Sequence, residues 1–83
     1  MKKIYKEPNK RETETTVNVL YSENMLCIYT NKVDLQKSLL KILGEPTRED
    51  IRGRSVVSSM WEVSLDEKSK ISKILLKANL FEL

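Results

Sequence analysis

The 83-residue chain contains no histidine, one cysteine and two glycines. Without histidine it lacks the most frequent general base and metal ligand, and one cysteine cannot build a standard zinc site. Two isolated glycines cannot form a glycine-rich phosphate loop. We therefore expect no catalytic residue, no cofactor and no metal, and we predict that the chain is not an enzyme. The enzyme class left open as an alternative is a metal-dependent nuclease built on carboxylates alone.

Long apolar runs are also missing, so the sequence predicts no transmembrane helix. No apolar segment follows the basic start Met1–Lys3, and a signal peptide is therefore not expected. A single cysteine, Cys27, cannot form an internal disulfide, which fits a reducing compartment. These features predict a cytoplasmic protein with no membrane association.

The length and composition are those of one small globular domain, with 40% apolar and 33% charged residues. The net charge of +3 is concentrated in two places. Residues 1–14 hold five Lys or Arg against three Glu, and residues 48–54 hold three Arg against two acidic residues. We predict that residues 1–14 form a basic mobile arm and that residues 15–83 form a single α+β domain.

A β-hairpin is the clearest structural signal. Two runs rich in β-branched and aromatic residues, Thr15–Ser22 and Met25–Thr30, flank a predicted two-residue turn at Glu23–Asn24. This turn pairs Val19 with Ile28 and sorts the side chains onto two faces. One face points to the core. The opposite face carries mainly apolar side chains, which include Leu20, Met25, Cys27 and Tyr29.

Two amphipathic helices and a third strand follow the hairpin. Apolar residues recur at helical spacing over Leu35–Leu43, with Asn31 as the predicted N-cap and Gly44 as the end of the helix. Ser55–Leu65 alternates as a strand, and Ile71–Ala78 carries the apolar stripe of the last helix.

The order β-β-α-β-α predicts an α+β, two-layer sandwich: a three-stranded, mainly antiparallel sheet with two helices on one face. Residues 45–54 are predicted to form a charged loop. We favour a sheet with the first strand in the centre, because the third strand then runs antiparallel to its neighbour. The predicted core consists of Val19, Ile28, Leu39, Trp61, Val63, Ile74 and Leu75.

Two helices cover only one side of such a sheet, so its apolar opposite face is predicted to bind a partner protein or a second copy of the chain. Tyr29 is the expected anchor because it is large and amphipathic. Scattered exposed apolar residues are the alternative explanation. The predicted protein-binding residues are Leu20, Met25, Tyr29 and Met60.

Basic residues offer a second possibility, in which the chain binds nucleic acid directly but weakly. An arginine-rich loop and a lysine stripe on the last helix would follow a phosphate backbone if they lay side by side. Ordinary solvent-exposed surface is the alternative. The predicted nucleic-acid-binding residues are Arg48, Arg52, Arg54, Lys70, Lys73 and Lys77.

Four short stretches and the lysine-rich last helix are similar to segments of known sequences. The four stretches are Glu14–Val17, Ile28–Lys32, Leu43–Thr47 and Trp61–Glu62. Over residues 12–83 the chain resembles a group of short uncharacterised bacterial and phage proteins. The resemblance implies an accessory role, and it implies no reaction, cofactor or catalytic residue. Our leading prediction is a non-catalytic binding protein that docks on, and inhibits or regulates, a host macromolecule such as a nucleic-acid enzyme.

Overall fold

The computed structural model describes residues 3–78, and for Lys77 and Ala78 it describes the backbone only. Two helices lie on one face of a four-stranded antiparallel sheet, which confirms the α+β class. The strand order across the sheet is β1-β2-β4-β3. Along the chain the elements are β1 (Thr15–Leu20), a 3₁₀ turn (Tyr21–Glu23), β2 (Met25–Thr30), α1 (Val33–Leu43), β3 (Arg48–Arg52), β4 (Ser55–Ser64) and α2 (Lys68–Ala78).

The fourth strand, β3, lies where we predicted a loop. Four of its five residues are charged, so it lacks the apolar alternation that marks a half-buried strand. Its pairing with β4 stabilises it, with Arg48 opposite Met60 and Arg52 opposite Ser55. The prediction of three strands is therefore wrong by one edge strand.

The predicted strand order is also wrong, because β4 pairs with β2 and not with β1. The error follows from the missed strand. Each hairpin reverses the direction of the chain, so inserting β3 before β4 turns the last strand around. In that direction β4 lies antiparallel to β2, with Ile28 opposite Trp61.

The β1–β2 register differs from the predicted one by two residues. Val19 lies opposite Leu26 and not opposite Ile28, because the turn spans the 3₁₀ residues and Asn24. Asn24 takes the predicted positive φ, at 51°. A shift of two residues preserves the side of every strand side chain. The side chains of β1 and β2 therefore lie on the predicted faces of the sheet, although the predicted turn was wrong.

The core lies between the helices and the two central strands. Val19 and Leu75 are wrong predictions, since they remain 39% and 38% exposed. Val19 is the last residue but one of the edge strand β1, and Leu75 follows the fully buried Ile74 on α2. The buried core cluster is Leu26, Ile28, Leu35, Leu39, Trp61, Val63 and Ile74.

The start of α1 differs from the predicted cap at Asn31. The Glu7 carboxylate accepts a hydrogen bond from the Val33 backbone N–H at 2.6 Å, in the first turn of the helix. The Asn31 side chain binds the N-terminal segment instead. It accepts from the Glu14 N–H at 2.7 Å and donates to the Glu12 carbonyl at 2.9 Å.

Part of the N-terminal segment extends the sheet beyond the end of β2. The Val56 N–H donates to the Ile4 carbonyl at 2.7 Å, and the Lys6 N–H donates to the Val56 carbonyl at 3.0 Å. Between them, the ring of Tyr5 lies 5.9 Å from the Lys37 ammonium of α1. The domain boundary at residue 14 stays a prediction.

Candidate docking surface

The strands β2 and β4 present alternate residues to opposite sides of the sheet. Leu26 and Ile28 are buried under the helices, whereas Cys27 and Tyr29 point to the other side and are half-buried. We call this side the outer face. Its apolar part consists of Leu20, Met25, Cys27, Tyr29 and Met60.

The sheet register brings the four predicted protein-binding residues onto this face. Leu20 lies directly opposite Met25, and Tyr29 lies opposite Met60. The row that contains Tyr29 crosses all four strands, from Thr16 through Tyr29 and Met60 to Arg48. The structure therefore joins the predicted aromatic anchor to an arginine that we had assigned to a separate loop.

Arg48 and Arg52 lie on the outer face because β3 is a strand. Arg48 is opposite Met60, and Asp50 is opposite Ser58, whose hydroxyl donates to the Asp50 carboxylate at 2.6 Å. Charged side chains thus border the apolar part, and positive and negative charges balance. This border consists of Arg48, Asp50, Arg52 and Glu62, all exposed.

A groove of about 640 Å³ opens beside Tyr29. The N-terminal segment forms one wall, and residues from β3 and β4 form the other. Its ionisable lining comprises three carboxylates and two basic groups, so the groove does not concentrate positive charge. These ionisable residues are Lys6, Glu7, Glu12, Asp50 and Arg52.

The predicted nucleic-acid-binding residues are not brought together. Lys70 and Lys73 lie on α2, in the helix layer, whereas Arg48 and Arg52 lie on the far side of the sheet. The Lys70 ammonium is 2.9 Å from the Glu67 carboxylate. Arg54 lies in the β3–β4 turn.

The Lys77 side chain lies outside the described part of the chain. In the N-terminal segment, the Lys3 ammonium pairs with the Glu45 and Glu49 carboxylates. Burial lowers the pKa of Lys3, but the hydrogen bonds to the two carboxylates and their negative charges together outweigh burial and raise its pKa above 10.5. The basic charge of the arm is thus partly neutralised within the molecule.

The outer face offers no activated nucleophile at Cys27. Burial raises the pKa of this thiol above 9.0, and the nearby Glu62 and Glu23 carboxylates raise the pKa further. At neutral pH the side chain therefore behaves as a small apolar group.

Among the residues that the structure describes, no group of three or more His, Cys, Asp or Glu could hold a metal ion. Within the same residues, neither helix is long and apolar enough to cross a membrane. The absence of catalysis stays a prediction.

Sequence reasoning missed the contribution of β3 to this surface. The only signal available in the sequence was charge content, since four of the five residues from Arg48 to Arg52 are charged. A high charge content is typical of an edge strand rather than a central one. No family model, no curated protein and no solved structure matches the chain.

Proposed function

We propose that this protein is a small, non-catalytic binding protein that docks on a larger protein through its outer face and inhibits or regulates it. One observation carries the proposal. Five apolar side chains adjoin across three strands, on the side of the sheet that the helices leave open. Contiguous apolar patches bordered by polar groups mark interaction sites.

The composition of the face suits a protein partner. Tyr29 supplies a large, amphipathic contact with few rotatable bonds, and such side chains dominate interface energetics. Met25 and Met60 flank it, and unbranched thioether side chains adapt to irregular surfaces. Arg48 and Glu62 border the patch and supply polar contacts of both signs.

Electrostatics favour a protein over a nucleic acid at this surface. The charged border of the outer face is balanced, and the groove beside Tyr29 has more carboxylates than basic groups. A polyanion gains affinity mainly from basic groups that displace its counterions. The resemblance to short bacterial and phage proteins adds the class of partner, a host macromolecule such as a nucleic-acid enzyme.

The test begins with capture by the tagged full-length chain from a lysate of the native host, treated with nuclease. The captured protein is then purified, and its binding is measured by calorimetry against the wild-type chain and Tyr29→Ala. We expect saturable binding that weakens at least about tenfold in Tyr29→Ala, as for a central interface aromatic.

Lys73→Ala is the matched control, because it removes a long side chain from the helix layer. Its affinity should equal that of the wild type. Equal binding by Tyr29→Ala and the wild type would refute docking through the outer face. Loss of capture after nuclease treatment would favour nucleic acid as the partner.

Direct binding to nucleic acid is the second candidate function. It is favoured by three exposed arginines, Arg48, Arg52 and Arg54, none of which forms an ion pair within residues 3–78. This candidate requires affinity that falls steeply with salt. The affinity for duplex and single-stranded oligonucleotides is therefore measured at two salt concentrations. Tight binding at the higher salt concentration that is lost when Arg48, Arg52 and Arg54 are changed together to Ala would support nucleic-acid binding.

A further inference from the structure

The outer edge of β1 is open: no other segment within residues 3–78 pairs with it. One backbone hydrogen bond, together with the register, fixes which of its groups point outward. Asn31 N–H donates to the Glu14 carbonyl, so the backbone groups of Glu14 and of every second residue after it point to β2. The intervening residues therefore direct their N–H and C=O groups away from the sheet. These residues are Thr15, Val17 and Val19.

The two edges of the sheet differ in their chemistry. The β3 edge carries four charged residues in five, a common protection against strand addition. The β1 edge, Thr15–Leu20, carries no charge and no proline. Its last two residues, Val19 and Leu20, are exposed apolar residues, and so is Tyr21, which follows them in the turn. Their exposed fractions are 39%, 37% and 83%. Only the β1 edge is suited to pair with another strand.

We propose that β1 pairs with β1 of a second copy of this chain, antiparallel and about a two-fold axis at Val17. The outward-pointing groups are symmetric about this residue. Val17 then lies opposite Val17 of the second copy, and Thr15 lies opposite Val19 of the second copy. Every outward N–H and C=O from Thr15 to Val19 gains a partner.

A second copy fits this edge better than a charged strand because its side chains match the register. Across the axis Val17 contacts its own copy, and Thr15 contacts Val19, which are favourable cross-strand neighbours. No like charges face each other between residues 15 and 19, because the segment has none. The exposed surface of Val19 is covered in the process.

The dimer has a continuous eight-stranded sheet. A two-fold axis normal to the sheet leaves both helix layers on one side and both outer faces on the other. The inference therefore goes beyond the proposed function: it concerns a different surface and leaves Tyr29 free for a partner. A dimer would present two docking surfaces side by side, which favours a bivalent partner.

The first test is the molar mass of the full chain in solution, measured by sedimentation over a range of concentrations. The mass should rise from the monomer value of 9.7 kDa to twice that value. Val19→Lys places a charge on the open edge and should return the chain to the monomer mass. The matched control is Ile51→Lys on the β3 edge, where the side chain is 61% exposed, and its dimer should persist.

A second variant tests the backbone pairing. Val19→Pro removes an N–H that points away from β2, so it should abolish the dimer while preserving the circular dichroism of the fold. A wild-type chain that remains monomeric up to about 1 mM, a range that reveals even weak association, would overturn the proposal. So would a dimer that both Val19 variants leave intact.

Cross-linking tests the register, in a chain carrying Cys27→Ser. Val17→Cys should form a disulfide dimer on mild oxidation, because facing Cα atoms in the pair lie about 5.5 Å apart. Val19→Cys should not, since its copy lies about four residues away along the strand, or roughly 13 Å. Cross-linking through position 19 and not through position 17 would refute the axis at Val17.

Discussion

The two faces of the central strands β2 and β4 use the same backbone for different purposes. On one side Ile28 and Trp61 are fully enclosed by the helices. On the other side their neighbours Tyr29 and Met60 are only half-buried. The difference arises from where the helices pack, since both faces of β2 are largely apolar in sequence. Stability should therefore depend on one face, and binding on the other.

The largest expected effect is that of Trp61→Ala, on the helix face. The change opens a cavity in the core and removes the hydrogen bond from the indole N–H to the Gly44 carbonyl, at 2.9 Å. We expect a loss of about 3–5 kcal/mol in the free energy of unfolding, a large fraction of a small domain's stability. Urea unfolding followed by circular dichroism measures it.

Tyr29→Ala is the matched control on the outer face, one row away. It should cost no more than about 1.5 kcal/mol, because the side chain already contacts solvent and leaves no enclosed cavity. Since Trp61 is the single tryptophan, its native emission should also be blue-shifted relative to the unfolded chain. Equal losses in the two variants would contradict the assignment of separate roles to the faces.

A smaller loss of stability is expected when either of two adjacent serines, which point to opposite faces of the sheet, is changed to alanine. Ser59 donates to the buried Gln36 amide oxygen at 2.6 Å, and the Gln36 Nε2 has no protein partner within residues 3–78. Ser59→Ala leaves the whole amide unpaired in the core, so we expect a loss of about 1–3 kcal/mol.

Ser58→Ala provides the comparison. Its hydroxyl donates to Asp50, an exposed carboxylate that water can solvate instead. The expected cost is less than about 1 kcal/mol. Thermal unfolding of both variants measures the difference. A more destabilised Ser58→Ala variant would contradict the faces assigned to residues 58 and 59.

The alternation of apolar residues was sufficient to predict these faces but not the arrangement of the strands. Ile28, Trp61 and Ile74 are buried as predicted, because burial follows local periodicity. The strand order depends on β3, whose stability comes from pairing with β4 and leaves little local signal. Because one edge strand was missed, the predicted direction and the predicted neighbour of the next strand were both wrong.

Part of the candidate surface was also predictable from the alternation of side chains along the strands. The sides of Leu20, Met25 and Tyr29 follow from strand alternation, which tolerates a register error of two residues. The position of Arg48 beside Met60 and the groove at Tyr29 depend on contacts between distant segments. Such contacts have no local sequence pattern, so the sequence alone did not reveal them.

Glu7→Gln tests the attachment of the N-terminal segment to the start of α1. The Glu7 carboxylate accepts from the Val33 N–H, where a negative charge also interacts favourably with the start of a helix. The substitution should cost about 0.5–1 kcal/mol in the free energy of unfolding at low salt. Glu12→Gln is the control, since the structure uses the backbone carbonyl of that residue. Equal effects would contradict the capping role.

The smallest expected effect is a change in the reactivity of Cys27 on the outer face. Its thiol pKa lies above 9.0 because of burial and the Glu62 and Glu23 carboxylates. Since the thiolate is the reactive form, alkylation by iodoacetamide near pH 8 should be slower in the folded chain than in urea. The rate should then rise with pH to a midpoint above that of the unfolded chain.

Glu62→Gln separates the electrostatic cause from burial. Removing this negative charge should lower the Cys27 pKa and increase the alkylation rate near pH 8 modestly, because burial, the larger cause, remains. Glu67→Gln, on the helix side, is the control and should leave the rate unchanged. A folded chain that reacts faster than the unfolded one at this pH would show that the Cys27 thiol is activated. The outer face would then contain a reactive nucleophile as well as a binding surface.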